Sequence, residues 1–376
     1  MYRNDLRETL DSVIHFESLH NKTFLITGAY GLIASFLIDL LFYANETMDA
    51  GITVYALVRS QAYAETRFQS LINHPGFRLV VQDVCNPILL TKRADYIIHA
   101  AGDGYPGAFR ERPVETMLPA VQGTFQLLEY MKKTKGNRFL YISSGEIYGS
   151  GHQKGLIETD SGYVDPMKSR SCYPSAKRAA ETLCASYFAE YALNTVVARP
   201  SHVYGAGSPQ KDNRASAQFF RDICSGRDAI LKSPGKQLRS YTYVADCVSA
   251  LLTILTCGVP GEAYNIANPA SAATIAEFAE MAAKVGGRAC RFECADEKDF
   301  LEKTPVSYAV LDSGKLQALG WKGNYNLERG IRHTLEILLG RDSIKSEQGR
   351  IAPALSGEKQ VKNRQVTYGT RISDIG

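Results

Sequence analysis

"TFLITGAYGLIA", Thr23 to Ala34, is the stretch that decides the fold. Its first half is a short apolar run rich in β formers. Its second half opens a longer apolar stretch of helical character. Between them stand Gly28 and Gly31, with the small Ala34 next in the pattern. A glycine turn joining a strand to a helix suits a diphosphate. The first glycine permits the tight turn, and the second lets backbone N–H groups approach the phosphates at the positive end of the helix. A small third residue lets helix and strand pack closely.

Working outward, the chain repeats this alternation. "ITVYALV" (52–58), "FRLVVQDV" (77–84), "ADYIIHAAG" (94–102), "RFLYISS" (138–144) and "NTVVARP" (194–200) read as short buried strands. "GLIASFLIDLLFYAN" (31–45), "VQGTFQLLEYMKK" (121–133) and "YPSAKRAAETLCASYFAEY" (173–191) read as helices. Strand and helix in alternation predict an α/β fold, a doubly wound parallel sheet covered on both faces. Past about Pro200 the rhythm becomes irregular. The division expected is a lead-in over 1–21, a dinucleotide-binding domain over 22–200, a smaller interleaved substrate lobe over 201–340 and a polar extension over 341–376.

Composition narrows the function classes. The 376 residues are 45% hydrophobic and 22% charged, with a net charge of +4 and no long basic run, so nucleic acid is not an expected partner. The opening residues lack a basic segment followed by an apolar block, and no apolar run approaches the roughly 20 residues of a membrane span. A soluble, cytoplasmic protein with no membrane partner is expected. The eight cysteines form no paired framework, and Cys290 and Cys294 lack a second ligand pair. Free thiols and no metal site are expected.

Several residues read as cofactor contacts. An acid that holds ribose hydroxyls is expected after the second strand, but Arg59 stands there, which leaves NADP open beside NAD. Asp83 and Val84 fall at the adenine end. Ala100, Ala101 and Gly102 in "HAAG" are small where a strand end must pass under the cofactor. Tyr173 and Lys177 are four apart on a helix and share one face. A tyrosine is a poor base at neutral pH. A neighbouring ammonium and a positive nicotinamide ring would both favour phenolate. Such a group can take a hydroxyl proton as hydride leaves the same carbon.

With "TGAYGLIA", "HAAG", "SSGEIYG", "YPSAK", "RPSHVYG", "RSYTYVADC" and "LDSGKLQALGW" in this order over roughly 22–340, the chain resembles the extended short-chain dehydrogenases/reductases acting on nucleotide sugars. That resemblance implies a Rossmann lobe, a sugar-nucleotide lobe, tightly held NAD and a homodimer. It implies Ser144, Tyr173 and Lys177 as the catalytic set, with Ser144 bonded to the sugar's C4 oxygen. It also implies Arg239 on the substrate phosphates, with Arg214 as a helper. His202 and Ala120 replace asparagines usual in the family, and His202 falls beside the substrate diphosphate.

Glu146, in "SSGEIYG", sorts the family. The 4,6-dehydratases carry an Asp–Glu pair after the serine, and 4-epimerases carry small or neutral residues. This chain has Gly145 followed by Glu146. That pattern most resembles the UDP-glucuronate decarboxylases. The expectation is NAD-dependent decarboxylation of a UDP-uronate through a 4-keto intermediate, with Glu146 catalytic. A 4,6-dehydratase or 4-epimerase is the near alternative, and a non-catalytic dinucleotide-binding regulator the remote one.

Overall fold

The computed structural model describes residues 1–152, 154–293 and 306–340. Strand and helix alternate through the first part: α1 (Tyr2–Asp11), β1 (Thr23–Thr27), α2 (Leu32–Met48), β2 (Thr53–Val58), α3 (Gln61–Arg67), β3 (Phe77–Val81) and β4 (Tyr96–His99). Next come α4 (Pro106–Glu111), α5 (Pro113–Leu118), α6 (Thr124–Thr134), β5 (Arg138–Ile142), α7 (Cys172–Tyr191) and β6 (Thr195–Pro200). The later elements are β7 (His202–Tyr204), α8 (Ala215–Cys224), β8 (Ala229–Leu231), β9 (Leu238–Tyr243), α9 (Val244–Cys257), β10 (Ala263–Ile266) and β11 (Ala272–Thr274). The described part ends with α10 (Ile275–Gly286), β12 (Cys290–Phe292), β13 (Tyr308–Ala309), α11 (Gly314–Gln317) and α12 (Leu327–Leu338).

Seven strands form one parallel sheet in the order β10-β6-β5-β4-β1-β2-β3. The strand order reverses at β1, whose neighbours are β2 and β4, and a doubly wound sheet opens a crevice at that point. One face of the sheet is covered by α6 and α7, through Leu127, Leu128, Met131, Ala176, Ala180 and Cys184. The other is covered by α2 and α9. Helix α2 is buried on nearly every side from Leu32 to Ala44, because α1 and α9 both pack on it, so its sequence is apolar all round. The lead-in is part of this core: Tyr2, Leu6, Leu10, Phe16 and Leu19 are buried.

A second sheet, β11-β9-β13 with β7 also on β9, and the pair β8–β12 stand beside the first. Strand β10 returns to the main sheet through β6. Helix α10 is closed by a capping box between Thr274 and Glu277 and stops at Gly287 in the left-handed region.

The segment read as one helix from Val121 begins instead as a π-turn over Pro119–Gly123 that continues from α5 into α6. Gly123 is needed there, since a Cβ would lie 2.9 Å from Val84 Cγ1. Among the described residues no helix is long and apolar enough to cross a membrane. Cys290 lies on β12; Cys294 and the extension from 341 lie outside the described residues.

Candidate active site

Every candidate residue named from the sequence lines one cleft of about 1070 Å³ at the C-terminal ends of the parallel strands. The cofactor half is built by backbone. Gly28 has φ +63°, and a Cβ there would lie 2.7 Å from the Ala100 carbonyl oxygen and 2.8 Å from Ala101 Cα. The turn after β1 therefore presses on the loop after β4, and a side chain at 28 would push them apart. Gly31 caps α2 without a side-chain hydrogen bond, leaving the helix N-terminus to face the cleft. This cradle fits a dinucleotide's diphosphate.

The loop after β4 is pinned from behind. The Ala101 N–H donates to Thr27 Oγ1 (3.2 Å), and Thr27 Oγ1 lies 2.7 Å from His99 Nδ1. His99 Nε2 donates to the Pro119 carbonyl (2.9 Å). That carbonyl can only accept, so Nδ1 is the acceptor and Thr27 its donor. Burial, with the Lys177 charge second, pulls His99 down to about 3, so it stays neutral in this relay. Arg59 is exposed just past β2. Asp83 Oδ1 accepts the Cys85 N–H at 2.9 Å, which shapes the turn that also holds Val84.

The candidate catalytic residues come from β5 and α7. Ser144, at the end of β5, starts a 3₁₀ turn, and its hydroxyl accepts the Glu146 N–H at 3.1 Å. Tyr173 is half-buried, and its ring stacks on Phe109 at 4.5 Å and 20°. Lys177 donates to the Ile142 carbonyl at 2.7 Å, and its Nζ is 5.7 Å from the Tyr173 ring centre. The two share a face, as their spacing requires. The expected lowering of the tyrosine is not found in the chain alone. Burial pushes Tyr173 up to about 12, a hydrogen bond with Ser144 opposes this, and the Glu146 charge adds to it. Burial likewise lowers Lys177 to about 8, with Glu181 opposing.

Glu146 carries a partner that the sequence reading missed. Arg170 Nη2 lies 3.2 and 3.0 Å from its two carboxylate oxygens. Gly145 is packed under Leu311: a Cβ at 145 would meet Leu311 Cδ1 at 3.2 Å.

At the substrate end, His202 Nε2 lies 2.7 Å from Ser216 Oγ, and burial, with Arg214 and Arg239 adding, drives the ring well below the usual histidine range. Arg214 lines the cleft, but its guanidinium is engaged by the buried Asp212 (2.6 Å) and the Val203 carbonyl (3.2 Å). Arg239, on β9 between β11 and β13, is different. Its Nε and Nη2 are buried with no hydrogen-bond partner. Buried guanidinium donors without partners are costly unless a ligand meets them, and an anion such as a phosphate suits them. Arg170 stands three residues before Tyr173, but nothing local ties it to Glu146, 24 positions earlier. Phe109 and Leu311 gave no local signal, since tertiary packing alone brings them here.

A doubly wound parallel sheet, a glycine cradle at its switch point and a serine–tyrosine–lysine set on the facing edge define a dinucleotide-dependent enzyme of the short-chain dehydrogenase/reductase type. The chain belongs to the NAD dependent epimerase/dehydratase family, which it matches over residues 24–267. It is 30% identical over 314 residues to UDP-glucuronic acid decarboxylase 3 of Arabidopsis thaliana, covering 83% of this chain and 87% of the relative. Among solved structures it is similar to UDP-glucuronic acid 4-epimerase from Bacillus cereus in complex with UDP-glucuronic acid and NAD (TM-score 0.71, 22% identity, 85% of this chain and 99% of that one). It is also similar to dTDP-glucose 4,6-dehydratase from Bacillus anthracis in complex with NAD (TM-score 0.69, 21% identity, 86% and 97%). These two likenesses show the fold.

Proposed function

We propose that the protein is an NAD-dependent decarboxylase of a UDP-linked uronate, with no net redox change. The observation that carries this reading is Glu146 in the cleft directly after a glycine, Gly145, so that no acid precedes the glutamate. A dehydratase needs an acid beside the glutamate to protonate a leaving C6 hydroxyl. Here that position is Gly145, packed against Leu311, and it offers no acid. A uronate needs no such acid, because its leaving group is carbon dioxide. The UDP-glucuronic acid decarboxylase named above, similar over most of both chains, supports the same choice.

When bound, NAD supplies a hydride acceptor and donor for the sugar's C4 and a positive ring charge that favours the Tyr173 phenolate. Gly28, Gly31, Ala34, Arg59, Asp83, Val84, Ala100–Gly102 and Lys177, which line the cleft, would hold it. Tyr173 takes the C4 hydroxyl proton while Ser144 bonds the C4 oxygen. With a ketone at C4, the C5 carboxylate belongs to a β-keto acid. The C5–C6 bond breaks, carbon dioxide leaves, and the bonding pair passes into the C4 carbonyl. Ser144 and the protonated Tyr173 stabilise that oxygen. C5 then takes a proton from a solvent water, for which Glu146 is the hydrogen-bond acceptor, and Tyr173 returns its proton to the C4 oxygen as C4 regains its hydride. Arg239, with His202 and Arg214 beside it, receives the substrate diphosphate.

The same reading takes the protein as a cytoplasmic homodimer, with residues 22–200 mainly for the cofactor and 201–340 mainly for the nucleotide sugar. The test is product mass after incubation with UDP-, dTDP-, CDP- and GDP-sugars. Loss of carbon dioxide from a UDP-uronate is the expected result. Loss of water marks a dehydratase, and an unchanged mass with inverted C4 marks an epimerase; either overturns the reading.

A further inference from the structure

Glu146 does not stand alone, and what holds it is built into the same turn that starts α7. Arg170 lies on the 3₁₀ turn Ser169–Ser171, directly before Cys172 and Tyr173. Its Nη2 reaches both carboxylate oxygens of Glu146, at 3.2 and 3.0 Å. Its guanidinium carbon lies 4.8 Å from the centre of the Phe109 ring, and that ring stacks on Tyr173 at 4.5 Å. Phe109 therefore touches both the guanidinium that holds Glu146 and the Tyr173 ring. Glu146 lines the cleft, and Arg170 reaches it from the turn that leads into α7. Both members of the pair are about one third exposed, at 31% and 32%. Water weakens such a pair, and a bound substrate that excludes water strengthens it.

We propose that Arg170 is a positioning residue for this reaction. It holds Glu146 as an oriented hydrogen-bond acceptor at the C5–C6 end of the sugar, and through Phe109 it fixes that acceptor relative to Tyr173 at the C4 end. The proposal rests on the functional reading above, since only a sugar lying over Ser144 and Tyr173 brings its C5–C6 end towards Glu146. A guanidinium suits the task because its planar face stacks on the ring while its edge donates to the carboxylate. A lysine offers a point charge without the planar face. A carboxylate whose oxygens both face a guanidinium is set as an acceptor, not as a donor to a leaving hydroxyl. This agrees with a reaction that expels carbon dioxide rather than water.

The test is a double-mutant cycle on the holoenzyme with a UDP-uronate that the wild type turns over. Arg170→Gln keeps its bound dinucleotide and still forms bound reduced nicotinamide on mixing with substrate. Its turnover falls by up to roughly 10²-fold, the scale of a misplaced catalytic group, while KM stays near the wild-type value. Arg170→Lys recovers part of that loss. The combined Arg170→Gln, Glu146→Gln variant is no slower than Glu146→Gln alone, because Arg170 acts through Glu146. Wild-type turnover in Arg170→Gln overturns the proposal. So does a combined variant whose loss is the product of the two single losses. In both cases the functional reading stands, because the wild type decarboxylates. A wild type that decarboxylates no uronate overturns that reading and this proposal with it.

Discussion

In the proposed reaction Tyr173 and Glu146 divide the chemistry between the two ends of one sugar, and substitution separates them. In the chain alone Tyr173 is pushed up to about 12, so its use as a base depends on what binds beside it. Tyr173→Phe is expected to retain dinucleotide but to form no reduced nicotinamide on mixing with substrate, read by absorbance. Glu146→Gln is expected to keep that first oxidation and to lose roughly 10²–10⁴-fold in turnover, as when a positioned acid–base group is removed. A Glu146→Gln enzyme at wild-type speed returns Glu146 to a structural role. Arg239 gives a third residue-scale test. Its two partnerless buried nitrogens are expected to meet phosphate. Charge-assisted hydrogen bonds of this kind are worth about 1.5–3 kcal/mol, so Arg239→Gln should weaken UDP-sugar binding by roughly 10- to 100-fold in calorimetry. Unchanged affinity would remove Arg239 from the site. Ser144, Tyr173 and Lys177 were legible because each sits at a fixed offset in a strand end or a helix. Arg170's grip on Glu146 was not, because it crosses between two turns that are distant in sequence.

The elements show the same divide between local signal and packing. β1, α2, β2 and the later strands were readable from apolar runs and the glycine turn, since burial on both faces leaves a parallel strand little choice of residue. The π-turn at Pro119–Gly123 was not readable. Val84 and His99 press close on Gly123 within it, a contact that no local pattern records. The contact between β1, β4 and that turn also makes a pH prediction. His99 is neutral when folded, with its value lowered to about 3 from an unfolded value near 6.5. Between those values the unfolded chain binds the proton and the folded chain does not. Its contribution to stability is therefore present above about pH 6.5 and is lost as pH falls through that window, by at most about 1.4 kcal/mol per unit. Urea midpoints from pH 7 to pH 4 should fall more steeply for the wild type than for His99→Gln. Parallel slopes would mean that the ring protonates without cost.

For the whole molecule, two sets of elements meet at one cleft, and the outer faces of α5, α6 and α7 remain open. Val114, Phe125 and Phe188 are exposed there at 62%, 44% and 39%. Tyr187, on the same helix as Phe188, is buried and donates to Glu129 at 2.6 Å, so it belongs to the monomer's own packing. Light scattering over a range of concentrations is expected to give a dimer, and Phe125→Glu to shift it towards monomer. A wild type that stays monomeric would leave these apolar residues as ordinary surface. The account's central claim is that this cleft removes the carboxylate of a nucleotide-linked uronate through a C4 ketone. The most direct test is to run the wild type on a UDP-uronate in deuterium oxide and weigh the product. The account predicts a pentose nucleotide, lighter by carbon dioxide and carrying a single solvent deuteron at C5. A uronate recovered intact with C4 inverted and no deuterium would contradict it.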